Sequence, residues 1–524
     1  MHAHSSALAP APCRPYLALI MELRFYGATG TTTGSCHLLH SEGRTVLLDC
    51  GLFQGRREES WKKNRLFGFD PQIVDAVIQS HAHVDHSGKL PMLVRQGFGG
   101  RIHATPATCD LADILLHDSA KIAMADAQFL NRQRWRMERE LRRPRVEVRG
   151  RKHRRTKDGL PLPKGRNERL VEDMVLPPRE IVPLYLEEDV HETLPRFARH
   201  EYGAWFEPLP GMRFRFRDAG HILGSAWIEG EIREKSGVTR LVFTGDYGRY
   251  HQPILRDPEP LSEAEVYISE STYGNRCHAP FDENESELAA AVERLAARPH
   301  GRLLIPAFAV GRTQHILYEL YKICRRRTCA NVGIVVDSPL AQAATRIVMA
   351  HPECFDEEAL AAFREMQEDG SLRKRIRFTQ SIEESKALNA DLRPLIVISA
   401  SGMMESGRIL HHLAWNISNP ATEILVVGFQ AQHTLGRRLV DGASEVRIFG
   451  MLHRVRARVT NMLGFSAHAD RDDLLQALSP HAGAARALYL IHGENDQRKP
   501  LAEELRRRGF ARVECPENQR AWQP

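Results

Sequence analysis

Six consecutive residues near the start of the chain, in the pattern H-x-H-x-D-H, offer four metal-ligand side chains: His81, His83, Asp85 and His86. The apolar run 75–79 predicts a buried strand in front of them, and 87–94 predicts a turn that enters a helix. Imidazole nitrogens and carboxylate oxygens are ligands that Zn²⁺ accepts together. Because alternate side chains of an extended segment point the same way, the first two histidines can share one metal. The other two ligands can turn to a second metal. The alternative, four polar residues on a surface loop, does not explain why they directly follow an apolar strand.

The length and composition of the chain limit its class. With 524 residues it is too long for one ordinary core, so two or more domains are expected. A 42% hydrophobic and 26% charged composition is typical of a globular protein, and the net charge of +6 is compatible with a polyanionic partner. Nine scattered cysteines favour reduced thiols in a cytoplasmic protein. No apolar run is long enough to span a membrane, and residues 1–20 are expected to be a disordered extension rather than a signal peptide.

One predicted strand after another ends in a histidine or a carboxylate. Open sheets place their ligand sites at the carboxyl ends of strands, so several such ends indicate one shared site. Asp49 has no partner in the local sequence and is expected to orient a metal-ligating histidine, the alternative being a turn residue. The strand-end residues are Asp49, His221, Asp246, Glu270 and His492.

Two further regions have their own patterns. Between about 275 and 465, four strand–loop–helix units predict a parallel sheet with helices on both faces. Their loops carry Gly, Ser, Thr and Arg, which suit contacts with anions. The segment 137–182 is rich in Lys and Arg and predicts an inserted basic loop that attracts a phosphate backbone. The alternative is a solvated charge run with no specific role.

The ordered set of motifs resembles the β-CASP branch of the metallo-β-lactamase-fold hydrolases, which contains bacterial ribonucleases and the eukaryotic pre-mRNA 3′-end-cleaving subunit. The resemblance extends over about 21–509, apart from the basic insertion. His433, where a glycine is usual, also departs from the bacterial pattern. Besides Asp49 and the H-x-H-x-D-H loop, the matching motifs are Gly-His-Ile-Leu-Gly-Ser at His221, Thr-Gly-Asp-Tyr-Gly at Asp246, Ser-Glu-Ser-Thr-Tyr-Gly at Glu270, Phe-Ser-Ala-His-Ala-Asp at His468 and Ile-His-Gly-Glu at His492.

The resemblance implies an α/β fold, a metallo-β-lactamase αββα sandwich with an inserted α/β parallel-sheet domain. The expected divisions are the extension 1–20, a first lactamase part 21–274 that contains the basic insertion, the β-CASP domain 275–465 and a second lactamase part 466–524. The site would lie in the cleft between the two domains.

The resemblance also implies two Zn²⁺ per chain and assigns roles. One metal would be held by His81, His83 and His221, and the other by Asp85, His86 and His492, with Asp246 between them. His468 would be the general acid and Glu270 would orient it, with Asp49 and Asp85 as further catalytic residues. Candidate phosphate contacts on the loops of the inserted domain, each with helix capping or a surface position as the alternative, are Arg312, Ser338, Ser401, Gly402 and Arg408.

The leading hypothesis is a zinc-dependent ribonuclease in RNA processing or decay. It would hydrolyse phosphodiester bonds of single-stranded RNA, internally or from an end, with a hydroxide that two metals activate. A homodimer is a further hypothesis, and neither a nucleotide cofactor nor a membrane is expected. One alternative, a hydrolase of small esters or thioesters, leaves Glu270, His468 and the inserted domain unexplained. Another, a non-catalytic RNA-binding relative, would be expected to have lost metal ligands.

Overall fold

The computed structural model of the chain describes residues 21–55, 57–142, 180–278, 281–326, 331–368, 375–428, 430 and 434–524. The N-terminal extension, His433 and most of the predicted basic insertion lie outside the described residues.

Two seven-stranded sheets pack face to face and form a sandwich. Their inner faces share one core, in which Phe25 and Leu48 of the first sheet meet Phe216 and Phe243 of the second. In spatial order the first sheet consists of Ala521–Trp522, Glu22–Phe25, His37–Ser41, Arg44–Leu48, Ala76–Ile78, Arg101–Ala104 and Phe197–Arg199. The second sheet consists of Val513–Glu514, Ala487–Leu490, Val266–Ser269, Gly237–Phe243, Ala226–Glu234, Met212–Asp218 and Phe206–Leu209.

The C-terminal part of the chain completes this sandwich. Ala487–Leu490 pairs in parallel with Val266–Ser269, so two strand ends far apart in sequence lie side by side. The helices that accompany the two sheets are Arg57–Asn64, Val84–Ser87, Leu90–Arg95, Pro106–Arg142, Glu187–Thr193, Arg471–Leu478 and Asn495–Arg507.

The intervening segment builds a six-stranded parallel sheet with one buried core cluster on each face, as expected for strand–loop–helix units. Its strands, in spatial order, are Ile376–Phe378, Gly333–Val336, Leu395–Ser399, Arg302–Pro306, Thr422–Val426 and Arg458–Asn461. Its helices are Phe281–Ala296, Arg312–Arg326, Pro339–Ala350, Glu357–Glu368, Ile382–Ala387, Ile409–Asn416 and Leu435–Val440. A separate hairpin consists of Glu445–Ile448 and Met451–Arg454.

The sandwich and the inserted sheet share a buried boundary. Leu111 of the helix Pro106–Arg142 and Val348 of the helix Pro339–Ala350 belong to one apolar cluster. Beside it, Nε2 of His351 lies 2.8 Å from the Asp110 carboxylate. The predicted α/β fold class, a sandwich with an inserted parallel-sheet domain, is confirmed, whereas the exact domain boundaries stay a prediction. None of the helices in the described part of the chain combines the length and apolar character needed to cross a bilayer.

Candidate active site

Four ligand-type side chains converge at the end of the first sheet. His81 and His83 follow the strand Ala76–Ile78, and His221 and Asp246 come from loops that follow strands of the second sheet. Nε2 of His81 lies 3.1 Å from Nδ1 of His83, which lies 3.4 Å from Nε2 of His221. Oδ2 of Asp246 lies 3.5 Å from Nε2 of both His81 and His221. These four atoms surround a space of the size that one metal ion occupies.

A second group adjoins the first and shares the same aspartate. Nε2 of His86 lies 3.2 Å from Nε2 of His492, which lies 3.7 Å from the Asp85 carboxylate. Oδ1 of Asp246 lies 3.3 Å from Nε2 of His86. Asp246 therefore turns one carboxylate oxygen to each group. The two groups therefore adjoin at Asp246, and each could hold a metal ion.

A glycine allows this close approach. Gly245 has a φ of +53°, and a Cβ atom there would lie 2.7 Å from Cβ of Ser80. Both the left-handed backbone conformation and this close contact disfavour any residue with a Cβ atom at position 245, unless the loop shifts. Gly245 thus lets the loop that carries Asp246 pack directly against the residue that precedes His81.

A set of hydrogen bonds behind the ligands fixes the orientation of their rings. The Asp49 carboxylate lies 2.6 Å from Nδ1 of His86 and accepts a hydrogen bond of 2.8 Å from the Ser80 hydroxyl. The Ser80 hydroxyl also lies 3.0 Å from Nδ1 of His81, and the Thr272 hydroxyl lies 3.1 Å from Nδ1 of His492. In His81 and His86, such partners of Nδ1 set the tautomer and leave Nε2 for a metal. The sequence analysis missed Ser80 and Thr272, although each stands within two residues of a predicted site residue.

The chemistry of the ligand set fits divalent cations. Burial lowers the pKa of His83 to about 4 and also lowers the pKa of His81 and of His221, so these rings are neutral and present lone pairs. Burial also acts to lower the pKa of His86, but the nearby carboxylates of Asp246 and Asp49 raise it above its usual value. Oδ1 of Asp246 is buried and makes no hydrogen bond within the described residues. The neutral imidazoles of His81, His83 and His221 beside an unsatisfied carboxylate are the kind of ligand set that a divalent metal binds.

His468 differs in exposure from four of the other histidines of the site, whereas His83 is also partly exposed. The side chain of His468 is 22% exposed, against 0–3% for His81, His86, His221 and His492. Nδ1 of His468 lies 3.2 Å from each oxygen of the Glu270 carboxylate, which accepts a hydrogen bond of 2.6 Å from the Tyr247 amide. Burial acts to lower the pKa of His468, but the Glu270 and Asp246 carboxylates raise it to about 9. His468 is therefore a partly accessible imidazole whose protonated form the two carboxylates favour, beside the candidate metal ligands.

The predicted phosphate contacts lie on loops of the inserted domain. In the described part of the chain no hydrogen bond or ion pair joins them to the metal ligands. Ser338 caps the helix Pro339–Ala350 by accepting from the Ala341 amide, as the alternative interpretation expected. Arg408 donates to the buried Asp337 carboxylate at 2.7 Å.

The other three predicted contacts are also engaged locally. Arg312 lies with its guanidinium 5.8 Å from the centre of the Phe465 ring. The Ser401 hydroxyl accepts from the Glu405 amide at 3.3 Å, and the Gly402 carbonyl accepts from the Gln430 side chain at 3.0 Å.

Comparison with known proteins identifies the family. Three family models match the chain in succession: the Metallo-beta-lactamase superfamily over 29–307, the Beta-Casp domain over 313–439 and the Zn-dependent metallo-hydrolase RNA specificity domain over 452–516. The first match alone covers more than half of the chain. The chain belongs to the β-CASP branch of the metallo-β-lactamase superfamily.

This β-CASP protein has relatives along most of its length. It is 35% identical to Ribonuclease TTHA0252 of Thermus thermophilus over 488 residues, which cover 92% of this chain and 96% of that one. It is 26% identical to Transcription termination factor FttA of Methanosarcina mazei, covering 90% of this chain and 66% of the relative. It is 27% identical to FttA of Methanothermobacter thermautotrophicus, and this match covers 92% of this chain and 69% of the relative.

A solved structure shares the fold alone. The crystal structure of a protein of unknown function from Enterococcus faecalis V583 superposes with a TM-score of 0.51 at 12% identity, covering 96% of this chain and 99% of that one. The family expected from the sequence motifs is confirmed.

Proposed function

We propose that this β-CASP protein is a zinc-dependent ribonuclease that hydrolyses phosphodiester bonds of single-stranded RNA. The observation that carries the proposal is the position of His468, a solvent-accessible imidazole whose Nδ1 lies 3.9 Å from Oδ2 of Asp246. A hydrolase that needs only an activated water does not require a proton donor such as His468, whereas a nuclease must also protonate a poor leaving oxygen. Two comparisons support RNA as the substrate. The Thermus relative is named a ribonuclease, and the family model that matches 452–516 is described as an RNA specificity domain.

The proposed metal complement is two Zn²⁺ per chain. His81, His83 and His221 would hold one ion, and Asp85, His86 and His492 the other, with one oxygen of Asp246 for each. When bound, paired zinc ions lower the pKa of water and neutralise charge on a phosphodiester. Asp49 keeps the ring of His86 oriented toward its ion through the hydrogen bond to Nδ1.

The chain's own residues complete the reaction. His468 would give its proton to the 3′ oxygen as the P–O bond breaks, while the oxygen of water is added to phosphorus. The products then carry a 3′-hydroxyl and a 5′-phosphate. Glu270 accepts from Nδ1 of His468, which fixes the ring and favours its protonated form before the transfer.

The inserted domain would hold the RNA backbone. Loops that follow its parallel strands carry the proposed phosphate contacts, and loops at these strand ends are where open α/β sheets bind ligands. Arg312 and Arg408 bring positive charge, and Ser338, Ser401 and Gly402 bring hydroxyl and amide donors. The proposed domain boundaries are 21–274, 275–465 and 466–524.

The test uses the full chain loaded with zinc, with the metal content per chain measured by atomic absorption. RNA labelled at either end and a generic ester and thioester are offered as substrates, and an Asp246→Ala variant is the matched control. We expect RNA cleavage that depends on zinc and on Asp246. Ester or thioester turnover without RNA cleavage would overturn the proposal. The sizes of the products that carry each end label distinguish the release of mononucleotides from internal cleavage.

A further inference from the structure

An exposed aromatic strip lies on a helix and a hairpin of the inserted domain, elements that carry none of the candidate metal ligands. The helix Ile409–Asn416 buries Ile409, His412 and Leu413, so positions 411 and 415 face outward one turn apart. Trp415 is 70% exposed and Phe449, at the tip of the hairpin 445–454, is 55% exposed. The rings of His411 and Phe449 are in contact, with centroids 4.6 Å apart. We call His411, Trp415 and Phe449 the aromatic strip.

The hairpin tip holds Phe449 in a conformation that its residue type disfavours. Phe449 and Gly450 form a two-residue turn with φ values of 52° and 81°. Turns of this kind favour Asn-Gly or Asp-Gly, and a bulky residue at positive φ is uncommon. Burial of the ring does not compensate this backbone strain, because Phe449 remains exposed. A strained, exposed aromatic residue indicates a binding role rather than a packing role.

Positive charge lies beside the strip. The segment 445–458 contains four arginines and one glutamate, and all four arginines are exposed. The hairpin is anchored next to Trp415, because the Ser418 hydroxyl donates to the Arg454 carbonyl and the Arg456 amide donates to the Ile417 carbonyl. Arg458 pairs with Glu423 at 3.6 Å, whereas the side chains of Arg454 and Arg456 make no ion pair with any described residue. Guanidinium groups are therefore available next to the exposed rings.

The strip starts close to the loops that carry the proposed phosphate contacts. Arg408 directly precedes the helix Ile409–Asn416, and Ser401 and Gly402 lie in the same loop. With a rise of about 1.5 Å per residue, Trp415 lies roughly 10 Å farther along the helix axis than Arg408. A polynucleotide that leaves these loops along the flank of the domain would meet the strip next.

We propose that the aromatic strip, with Arg454 and Arg456, binds single-stranded RNA outside the catalytic cleft. Bases stack on Trp415 and Phe449, and the two guanidinium groups contact phosphates, which is the combination that proteins use for single strands. The inference rests on the proposed function in taking RNA as the substrate. A second copy of the chain is the competing occupant, and the oligomeric state of the variant below distinguishes it from RNA.

The experiment measures the binding and cleavage of two RNAs by the full, zinc-loaded chain. One is an oligonucleotide of about 5 nucleotides and the other is of about 25, since single-strand sites of one domain span roughly 4–16 nucleotides. The first variant is Trp415→Ala with Phe449→Asn, in which Asn suits the turn and protects the fold. Leu392→Ala is the matched control, because Leu392 is also 70% exposed in the inserted domain.

We expect the strip variant to bind the long RNA roughly 10- to 100-fold more weakly, while binding and cleavage of the short RNA stay unchanged. The control should behave as the wild type with both RNAs. Replacing Arg454 and Arg456 by Gln should reduce the slope of log affinity against log salt for the long RNA by about 1.4.

Equal binding of the long RNA by the strip variant and the wild type would overturn the inference. A change of oligomeric state of that variant in light scattering would overturn it too, by making the strip an interface between copies. Failure of the proposed function has a different signature, because wild-type protein would then bind long RNA through the strip without cleaving either RNA.

Discussion

Nδ1 of His86 lies 2.6 Å from Oδ2 of Asp49, and both side chains are buried. Asp49 sits at the end of the strand Arg44–Leu48 with a φ of 58°, a conformation that few non-glycine residues adopt. Its carboxylate also accepts from the Ser80 amide and from the Gln79 side chain. These contacts hold the carboxylate in place, so that Nε2 of His86 is directed at Asp246 and His492.

Replacing Asp49 by Asn is therefore expected to weaken zinc binding at the centre formed by Asp85, His86 and His492. The amide is a poorer acceptor for Nδ1 of His86, and loss of such a partner costs about 10- to 100-fold in metal affinity. Titration with a chromophoric chelator measures the two affinities separately. Asp75→Asn is the control, because Asp75 accepts from the Thr45 amide at the opposite end of these strands from the candidate metal ligands. Unchanged affinity at both centres would contradict the role of Asp49.

Replacing His468 by Ala is expected to slow RNA cleavage by about 10²- to 10⁴-fold without loss of zinc, because the general acid is removed and the ligands remain. A nucleotide p-nitrophenyl ester provides a sharper comparison, since p-nitrophenolate leaves without a proton. With that substrate the variant should approach the wild-type rate. Loss of one zinc per chain would instead make His468 a ligand, and equal loss with both substrates would contradict proton donation.

The candidate metal ligands could be singled out from the sequence because their residue types are unusual and their positions regular. Each ligand follows an apolar run or stands in a short motif, and the structure brings all seven into adjoining groups. The parallel strands of the inserted domain were predictable for the same reason. The strand–loop–helix units predicted between about 275 and 465 include the strands Arg302–Pro306 and Gly333–Val336.

The environment of Asp337 could not be predicted in this way. Its carboxylate accepts from Thr379, Ser385, Arg408 and His412, which belong to separate loops and helices. No local pattern relates these residues, because only tertiary packing brings them together around one buried charge. The same packing makes Arg408 a partner of Asp337, which the sequence presented only as a loop arginine.

Replacing Asp337 by Asn is expected to destabilise the inserted domain by about 3–5 kcal/mol at pH 7, since it removes the charge that buried donors surround. Burial acts to raise the pKa of Asp337, but its hydrogen bonds, led by that of His412, lower it below the ordinary value of 3.8. The folded protein thus gains stability from the ionised form above pH 3.8 and loses it as the pH falls further.

Urea unfolding of both proteins at a series of pH values measures this difference. The gap between Asp337→Asn and the wild type should narrow below pH 4, approximately where the unfolded carboxyl gains its proton. Asp391→Asn serves as the control, because Asp391 pairs with the exposed Arg393, and such surface pairs contribute about 1 kcal/mol or less. A gap that stays constant into acid would contradict the stabilising role of the Asp337 charge.

Replacing Glu319 by Gln is expected to stabilise the protein at alkaline pH. Glu319 is 4% exposed, and its Oε2 makes no hydrogen bond within the described residues. Burial raises the pKa of Glu319 from 4.5 to about 7, although Lys322, with Nζ 3.7 Å from Oε1, acts in the opposite direction. The folded chain keeps a proton that the unfolded chain releases, so the contribution of Glu319 to stability falls as the pH rises from 4.5 to 7.

Chemical denaturation at pH 4, 5, 6, 7 and 8 tests the Glu319→Gln variant against the wild type. The two should be equally stable near pH 4, and the variant should gain up to about 3 kcal/mol by pH 8, because glutamine has no charge to bury. Glu285→Gln is the matched control, since Glu285 pairs with both Lys322 and Arg326 and its removal should destabilise slightly. A Glu319→Gln variant less stable than the wild type at pH 8 would mean that the contact with Lys322 outweighs the cost of burying the carboxylate.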